Sequence, residues 1–247
     1  MTASSRLQGQ LALVTGVTSG IGAATVRALL AEGMRVMGVG RDAERLEAAA
    51  RGFGSAFRPI LADLAVPEAR QSAFAQLACG VEEPVRLLVN NAAECLYDSP
   101  LDVPAARLSR LFEINVTAAL ELTQQLARSM SPGSHIINVS SVVAQHLPAA
   151  KFAPYAATKT ALDCLSEALR LELHPRGVHV STVSPGLVDT PIYDKVEGFE
   201  RARRKIREQV PAWLTAEDVA EAIVWIASRP PHLVVSQLSL LPSAQAR

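Results

Sequence analysis

The stretch Leu11-Ala12-Leu13-Val14-Thr15-Gly16-Val17-Thr18-Ser19-Gly20-Ile21-Gly22 decides how the rest of the chain is read. Leu11 to Val14 is a short apolar run, which fits a strand buried on both faces. It passes directly into a turn with glycines at 16, 20 and 22. Ala23 to Glu32 then reads as a helix that stops at Gly33. Three glycines alone are weak evidence for a ligand. Between a strand and a helix they have a definite use. They permit the sharp turn and let backbone approach a pyrophosphate at the helix N-terminus. No Gly-Lys-Ser/Thr follows, so this is not the loop of a phosphate-hydrolysing enzyme.

The alternation continues down the chain. Arg35 to Val39 predicts a second strand, Asp42 to Arg51 a charged helix, and Phe57 to Leu61 a third strand. Pro67 to Ala78 predicts a helix and Val85 to Val89 a fourth strand. This pattern is that of an α/β chain with a parallel, doubly wound sheet and helices on both faces. Crossovers should be right-handed, and the ligand should lie at the carboxyl ends of the strands. Val103 to Ser129 reads as one long helix broken around Asn115, and His135 to Val139 as a fifth strand. Tyr155 to His174 reads as a helix, Val178 to Val183 as a sixth strand and Leu233 to Leu240 as a last one. Thr215 to Asp218 looks like a helix N-terminus with an acidic first turn. No repeat, low-complexity tract or linker interrupts the sequence, so one domain over 1–247 is expected.

Composition narrows the function classes. Hydrophobic residues make up 49% and charged residues 19%, which suits a compact enzyme with a large interior. The 24 basic and 24 acidic residues cancel, so there is no basic excess to attract nucleic acid or anionic lipid. The polar start, Met1 to Gln10, has no signal-peptide core, and no apolar run is long enough to span a bilayer. Cys79, Cys95 and Cys164 are widely spaced, with no Cys-x-x-Cys. Neither a disulfide framework nor a metal site is expected, and a reducing cytoplasm fits.

The strand ends carry the chemistry. Where NAD-binding sheets place an acidic ribose ligand, this chain has Gly40 followed by Arg41. A small residue leaves room for a 2′-phosphate, and a guanidinium can pair with one. That reads as NADP; the alternative makes Arg41 a surface charge and Asp42, otherwise a helix N-cap, the ribose ligand. Asp63-Leu64 ends the third strand, where the aspartate can accept from an adenine amino group or cap the next turn. Asn90-Asn91-Ala92-Ala93 ends the fourth; small residues there let backbone lie against a flat ligand, and the Asn side chains can tie strand ends together. Asn115 sits between Ile114 and Val116, well inside, and must find partners or a held water. Ser140-Ser141 ends the fifth strand. Tyr155 and Lys159 are four apart, one turn on a helix face. An ammonium near a phenol lowers its pKa from the usual ~10 and makes it a usable acid–base group. Alone, Tyr-x-x-x-Lys is an ordinary helix face; its company gives it meaning.

Taken together, Thr-Gly-x-x-x-Gly-x-Gly at 15–22, Asp63-Leu64, Asn-Asn-Ala-Ala at 90–93, Asn115, Ser-Ser at 140–141, Tyr-x-x-x-Lys at 155–159 and Pro-Gly at 185–186 resemble the short-chain dehydrogenase/reductase family over essentially the whole chain. The resemblance is to its short, single-domain branch, and it implies one Rossmann-type sheet of about seven strands in the order 3-2-1-4-5-6-7. It implies that Tyr155 is the general acid/base and that Lys159 lowers its pKa and binds the nicotinamide ribose. It further implies that Ser141 orients the substrate oxygen and that Asn115 holds a water in a proton relay. Cofactor contacts are implied for Gly16, Thr18, Ser19, Gly20, Ile21, Gly22, Arg41, Asp63, Leu64, Asn91, Ala92, Tyr155, Lys159, Pro185, Gly186, Val188 and Thr190.

Departures are Ala93 and Ala144 where glycine is common, and a spacing of fourteen from Ser141 to Tyr155, one longer than usual. The last leaves open whether Ser140 or Ser141 faces the substrate. The C-terminal stretch looks more like the branch of bacterial 3-hydroxy acid and serine dehydrogenases.

The expected activity is NADP-dependent hydride transfer between nicotinamide and a secondary alcohol or ketone, such as a hydroxy acid or another small hydroxy compound. The alternatives are a non-catalytic dinucleotide-binding sensor and a cofactor-retaining epimerase or dehydratase. Glu94, Cys95, Val143, Gln145, His146, Leu187 and Tyr193 are pocket-lining candidates by proximity to the motifs. A homo-oligomer, tetramer or dimer, is implied by the resemblance. The charged segment 191–211 reads either as a lid or as a solvated surface helix that never touches ligand; on the lid reading Lys195, Arg201, Arg203, Arg204, Lys205 and Arg207 stay in solvent, where their charge could draw in anionic substrates.

Overall fold

The computed structural model describes residues 6–79, 83–194 and 196–245; Met1 to Ser5 and Lys195, to which parts of the sequence reading refer, lie outside them. A seven-stranded sheet is built from β1 (Leu11–Thr15), β2 (Arg35–Gly40), β3 (Phe57–Leu61), β4 (Leu87–Asn90), β5 (His135–Val139), β6 (His179–Pro185) and β7 (Gln237–Leu240). Its order is β3-β2-β1-β4-β5-β6-β7, as expected. Every neighbouring pair is parallel. The helices that matter here are α1 (Gly20–Ala31), α2 (Ala43–Phe53), α3 (Pro67–Cys79), α4 (Ala105–Phe112), α5 (Ala118–Ala127), α6 (Ala153–Leu173), α7 (Glu200–Gln209) and α8 (Ala216–Ala227).

Successive residues of a strand point to opposite faces, and both faces here are apolar. Leu13, Leu88 and Ile136 pack on one side with Phe74 and Leu77 of α3 and Leu122 of α5. Their neighbours Val14, Val89 and Ile137 pack on the other with Val26 and Leu29 of α1 and Val219 and Ile223 of α8. The sheet is therefore the middle of three layers, and only its strand ends are free to hold a ligand.

Local chemistry sets the boundaries. The side chain of Asp42 accepts from the Arg45 amide and caps α2, while Thr215 and Asp218 form a reciprocal capping box on α8. The long helix predicted over 103–129 is interrupted by a π-helical turn, Glu113–Thr117, centred on Asn115. The last strand is shorter than read: Leu233 donates to the carbonyl of Pro230 in a turn, and pairing with β6 covers only Gln237–Leu240. Among the described residues no helix is long and apolar enough to cross a membrane, and no cluster of His, Cys, Asp or Glu is arranged for a metal ion.

Candidate active site

The carboxyl ends of β1, β2, β3 and β4 open into a cleft of about 460 Å³. The glycine turn forms its floor. Gly16 has φ +75°, and a Cβ there would lie 3.0 Å from both Ala92 Cα and Asn91 Nδ2. A Cβ on Gly22 would sit 2.1 Å from the Gly16 carbonyl oxygen, which requires glycine where α1 leaves the sheet. Gly20, at φ +53°, faces Thr190, whose β-carbon would be 3.2 Å from an added Cβ. Thr15 locks the floor in place, its hydroxyl accepting from the amides of Asn91 and Ala92 at 3.0 and 2.9 Å. Asn91 returns the contact through Nδ2 to the Thr15 carbonyl at 2.9 Å, tying β4 to β1. A dinucleotide fits this cradle, because backbone is bared where side chains would otherwise fill the space.

Of the residues named from sequence, Gly16, Thr18, Ser19, Gly20, Ile21, Arg41, Asp63, Leu64, Asn91, Ala92 and Thr190 line the cleft. Gly22 supports it from beneath. Pro185 ends β6, and Gly186 is packed against Gln245. Val188 belongs to the core and bridges to Leu214. Asp63 does two things at once: Oδ1 accepts from the Ala65 amide at 3.0 Å, and Oδ2 pairs with Arg110 at 3.3 Å. Arg41 is ion-paired with Glu94, and Glu94 also meets Arg110 at 3.0 Å. Burial works to raise the Glu94 carboxyl, but the Arg110 and Arg41 guanidiniums outweigh it and hold the group below its usual range.

At the β5 end, Ser141 and Tyr155 share a hydrogen bond. The Ser141 hydroxyl also approaches the Pro185 carbonyl at 3.4 Å and the Val143 amide at 3.4 Å. Ser140 faces elsewhere, towards Asp163 and the Lys159 carbonyl. Lys159 is fully buried and donates from Nζ to the Val139 carbonyl at 2.9 Å, with Nζ 5.8 Å from the Tyr155 ring centre. Burial lowers its pKa to about 8, against the pull of Asp163 and Cys95.

Burial, then Cys95 and Tyr193, push the Tyr155 phenol well above its ordinary value, and only the Ser141 hydrogen bond opposes them.

Asn115 is satisfied by protein. Its Nδ2 donates to the Glu94 carbonyl at 3.0 Å and to Thr158 Oγ1 at 2.9 Å, and its Oδ1 accepts from the Glu94 amide at 2.9 Å. The side chain thus pins the loop after β4 to the turn that carries it.

The apolar wall of the site is hardly visible in the sequence. Phe152, Tyr155, Val196 and Phe199 form a buried cluster, with Cys95, Tyr97, Val143 and Tyr193 packed against it. Gln145 and His146 are exposed instead. The segment after β6 is also more engaged than expected. Its α7 buries none of its residues, yet Arg203 meets Asp194 at 2.8 Å and Arg207 meets Asp189 at 2.6 Å. Arg207 lies 4.2 Å over the Trp213 ring. These two basic side chains are tied to the protein because Asp189, Asp194 and Trp213 flank them.

Comparison with known proteins agrees with this geometry. The family described as short chain dehydrogenase matches residues 10–200. Serine 3-dehydrogenase of Rhizobium radiobacter is 36% identical over 236 residues, 95% of this chain and 94% of that one. Carbonyl reductase [NADPH] 2 of Sus scrofa is 36% identical over 229 residues, 89% of each. The closed form of serine dehydrogenase complexed with NADP+ superposes with a TM-score of 0.87 at 26% identity, covering 96% of this chain and 97% of that one. With a cradle for a dinucleotide at one end of the cleft and relatives matched along nearly its whole length, this chain belongs to the short-chain dehydrogenase/reductase family and is an NAD(P)-dependent oxidoreductase acting on CH–OH groups.

Proposed function

We propose that the chain is an NADP-dependent enzyme that interconverts a secondary alcohol and a ketone, with Asn115, Ser141, Tyr155 and Lys159 as its working residues. The observation that carries this reading is that Ser141, Tyr155 and a buried Lys159 come together at the carboxyl end of β5, the strand beside β4, whose own end borders the cleft lined by Gly40 and Arg41. A bound nicotinamide cofactor supplies the hydride acceptor or donor. The protein manages the proton. Tyr155 gives its hydroxyl proton to the carbonyl oxygen in reduction and takes one back in oxidation. Ser141 holds that oxygen in line. Lys159 supplies positive charge beneath the phenol and a contact for the nicotinamide ribose. Asn115 keeps the loop after β4 against the π turn, and a water at that turn completes the path to solvent.

The substrate class follows from the wall. Tyr97, Phe152 and Phe199 pack edge to face and Tyr193 lies tilted against Phe199, with ring centres 4.9–5.5 Å apart. Such a surface favours a carbonyl compound with an apolar or aromatic substituent, which agrees with the likeness to a carbonyl reductase. A small hydroxy acid is the second reading, carried by the likeness to serine 3-dehydrogenase. Against it, Arg203 and Arg207 already have carboxylate partners.

The segment 191–211 acts as a lid: Val196 and Phe199 cover Tyr155, and substrate enters when they move. The enzyme works as a homo-oligomer, a dimer or tetramer, which would cover apolar side chains such as Leu171 and Trp225, 62% and 47% exposed. Its free thiols, Cys95 and Cys164, suit the cytoplasm.

The test is turnover of NADPH and NADH against aromatic ketones, aliphatic ketones and keto acids, with Arg41→Ala alongside. NADPH should be preferred, and Arg41→Ala should weaken it about tenfold to a hundredfold while sparing NADH. Preference for NADH in the natural protein, or equal loss of both, would reject the cofactor assignment. Turnover of keto acids alone would select the second reading.

A further inference from the structure

We propose that Glu94 sets the strength of cofactor selection: its carboxylate competes with a 2′-phosphate for Arg41, and Arg110 holds it when Arg41 is taken. The inference rests on the reading of Arg41 as the 2′-phosphate ligand.

The topology creates the competition. Strands β2 and β4 lie on either side of β1, so the loops that leave them face each other across the glycine turn. Arg41 leaves β2 and Glu94 follows β4, and their ion pair spans the cleft that both residues line. A dinucleotide lying along the strand ends must pass this bridge.

The main chain of Glu94 cannot move aside easily, because Asn115 holds both its amide and its carbonyl, at 2.9 and 3.0 Å. The side chain is the free part. It has two cations within reach: Arg41 on one side, and Arg110 at 3.0 Å on the other. Arg110 is itself steadied by Asp63 at 3.3 Å. If Arg41 turns to a phosphate, Glu94 keeps Arg110 and is not left unpaired.

Exposure favours exchange. The Arg41 and Glu94 side chains are 41% and 28% exposed, so the bridge is reachable by solvent and individually weak. A phosphate monoester carries roughly −1.5 to −2 charge at neutral pH and offers bidentate geometry to a guanidinium, so it displaces a single carboxylate. A cofactor with a free 2′-hydroxyl makes no such claim on Arg41, and the bridge can stay closed. Glu94 therefore lowers affinity for the phosphorylated cofactor selectively.

The test measures binding, not turnover. Titration calorimetry would follow NADP+, NAD+, 2′,5′-ADP and ADP with the natural protein, Glu94→Gln, Arg110→Gln and Arg41→Ala. Glu94→Gln keeps shape and backbone contacts, and should tighten NADP+ and 2′,5′-ADP about fivefold, the upper range for a half-exposed pair. NAD+ and ADP should be unchanged. Arg110→Gln should act in the opposite direction, since Glu94 then depends on Arg41 alone. In Arg41→Ala/Glu94→Gln the Glu94 effect should vanish. Unchanged or weaker NADP+ binding in Glu94→Gln, with Arg41→Ala still weakening NADP+, overturns the competition and leaves the Arg41 reading intact. If Arg41→Ala does not weaken NADP+ at all, the Arg41 reading falls, and this inference with it.

Discussion

Replacing Tyr155 by phenylalanine separates its two jobs, filling the apolar wall and moving a proton. The ring is 8% exposed and packs with Phe152, Val196 and Phe199, and that packing survives in Tyr155→Phe. The substitution removes the hydrogen bond with Ser141, whose hydroxyl keeps the Pro185 carbonyl at 3.4 Å as a partner. The cost in stability is therefore about 1 kcal/mol or less. Turnover should fall far more, by ~10²- to 10⁴-fold, the usual contribution of a positioned acid–base group.

The pH dependence tests the same residue a second way. Burial first, then Cys95 and Tyr193, raise the phenol above its ordinary value. It stays protonated through neutral pH, so ketone reduction keeps its donor and should be nearly flat there. Alcohol oxidation needs the phenolate and should rise as pH rises. The assay is steady-state NADPH oxidation with a ketone and NADP+ reduction with the matching alcohol, each across pH, with cofactor affinity measured in parallel. Near-normal turnover in Tyr155→Phe, or an alcohol-oxidation profile that the substitution leaves unchanged, would refute the assignment.

Lys159→Met should lower both turnover and cofactor affinity, since it removes a buried cation; calorimetric affinity equal to that of the natural protein would remove the ribose contact from its role. Asp189→Asn should loosen the lid, because Arg207 at 2.6 Å and Arg203 at 3.7 Å both meet that carboxylate. Losing ~1 kcal/mol of exposed pairing predicts about fivefold faster hydrogen exchange over 196–209, and an unchanged rate would show that the apolar contacts alone hold it. His135 is buried, its ring meets Ser181 at 2.7 Å, and burial, then His179 and Arg86, lower its pKa from 6.5 to about 3. The unfolded chain takes up a proton below pH ~6.5 that the folded chain refuses, so this contribution is intact above that pH and is lost as pH falls, at ~1.4 kcal/mol per unit. His135→Gln should flatten the urea midpoint between pH 7 and pH 5, and an equal acid dependence in both proteins would contradict this.

What can be read from the sequence, and what cannot, divides by distance along the chain. Gly16, Gly20 and Gly22 announce the cradle because a strand, a sharp turn and a helix start are all local demands. Tyr155 and Lys159 announce a shared helix face for the same reason. Asn115 is legible as an inward-facing break in a helix, though not its partners Glu94 and Thr158, which come from other elements. The environment of Tyr155 is hidden because Val196 and Phe199, which bury it, arrive some forty residues later. Arg203 and Arg207 look free in the sequence because Asp189 and Trp213 are not helical neighbours of either. The Arg41–Glu94 bridge joins positions 53 apart, and no periodicity connects them. Yet the strand order connects them: once β2 and β4 are known to flank β1, residues just past their carboxyl ends must face one another across the glycine turn. Opposite charges at those two positions stand in the sequence itself. The doubly wound topology turns them into a bridge over the ligand cleft, and a chain with the same motifs but no acid after β4 would leave its arginine open to a 2′-phosphate from the start.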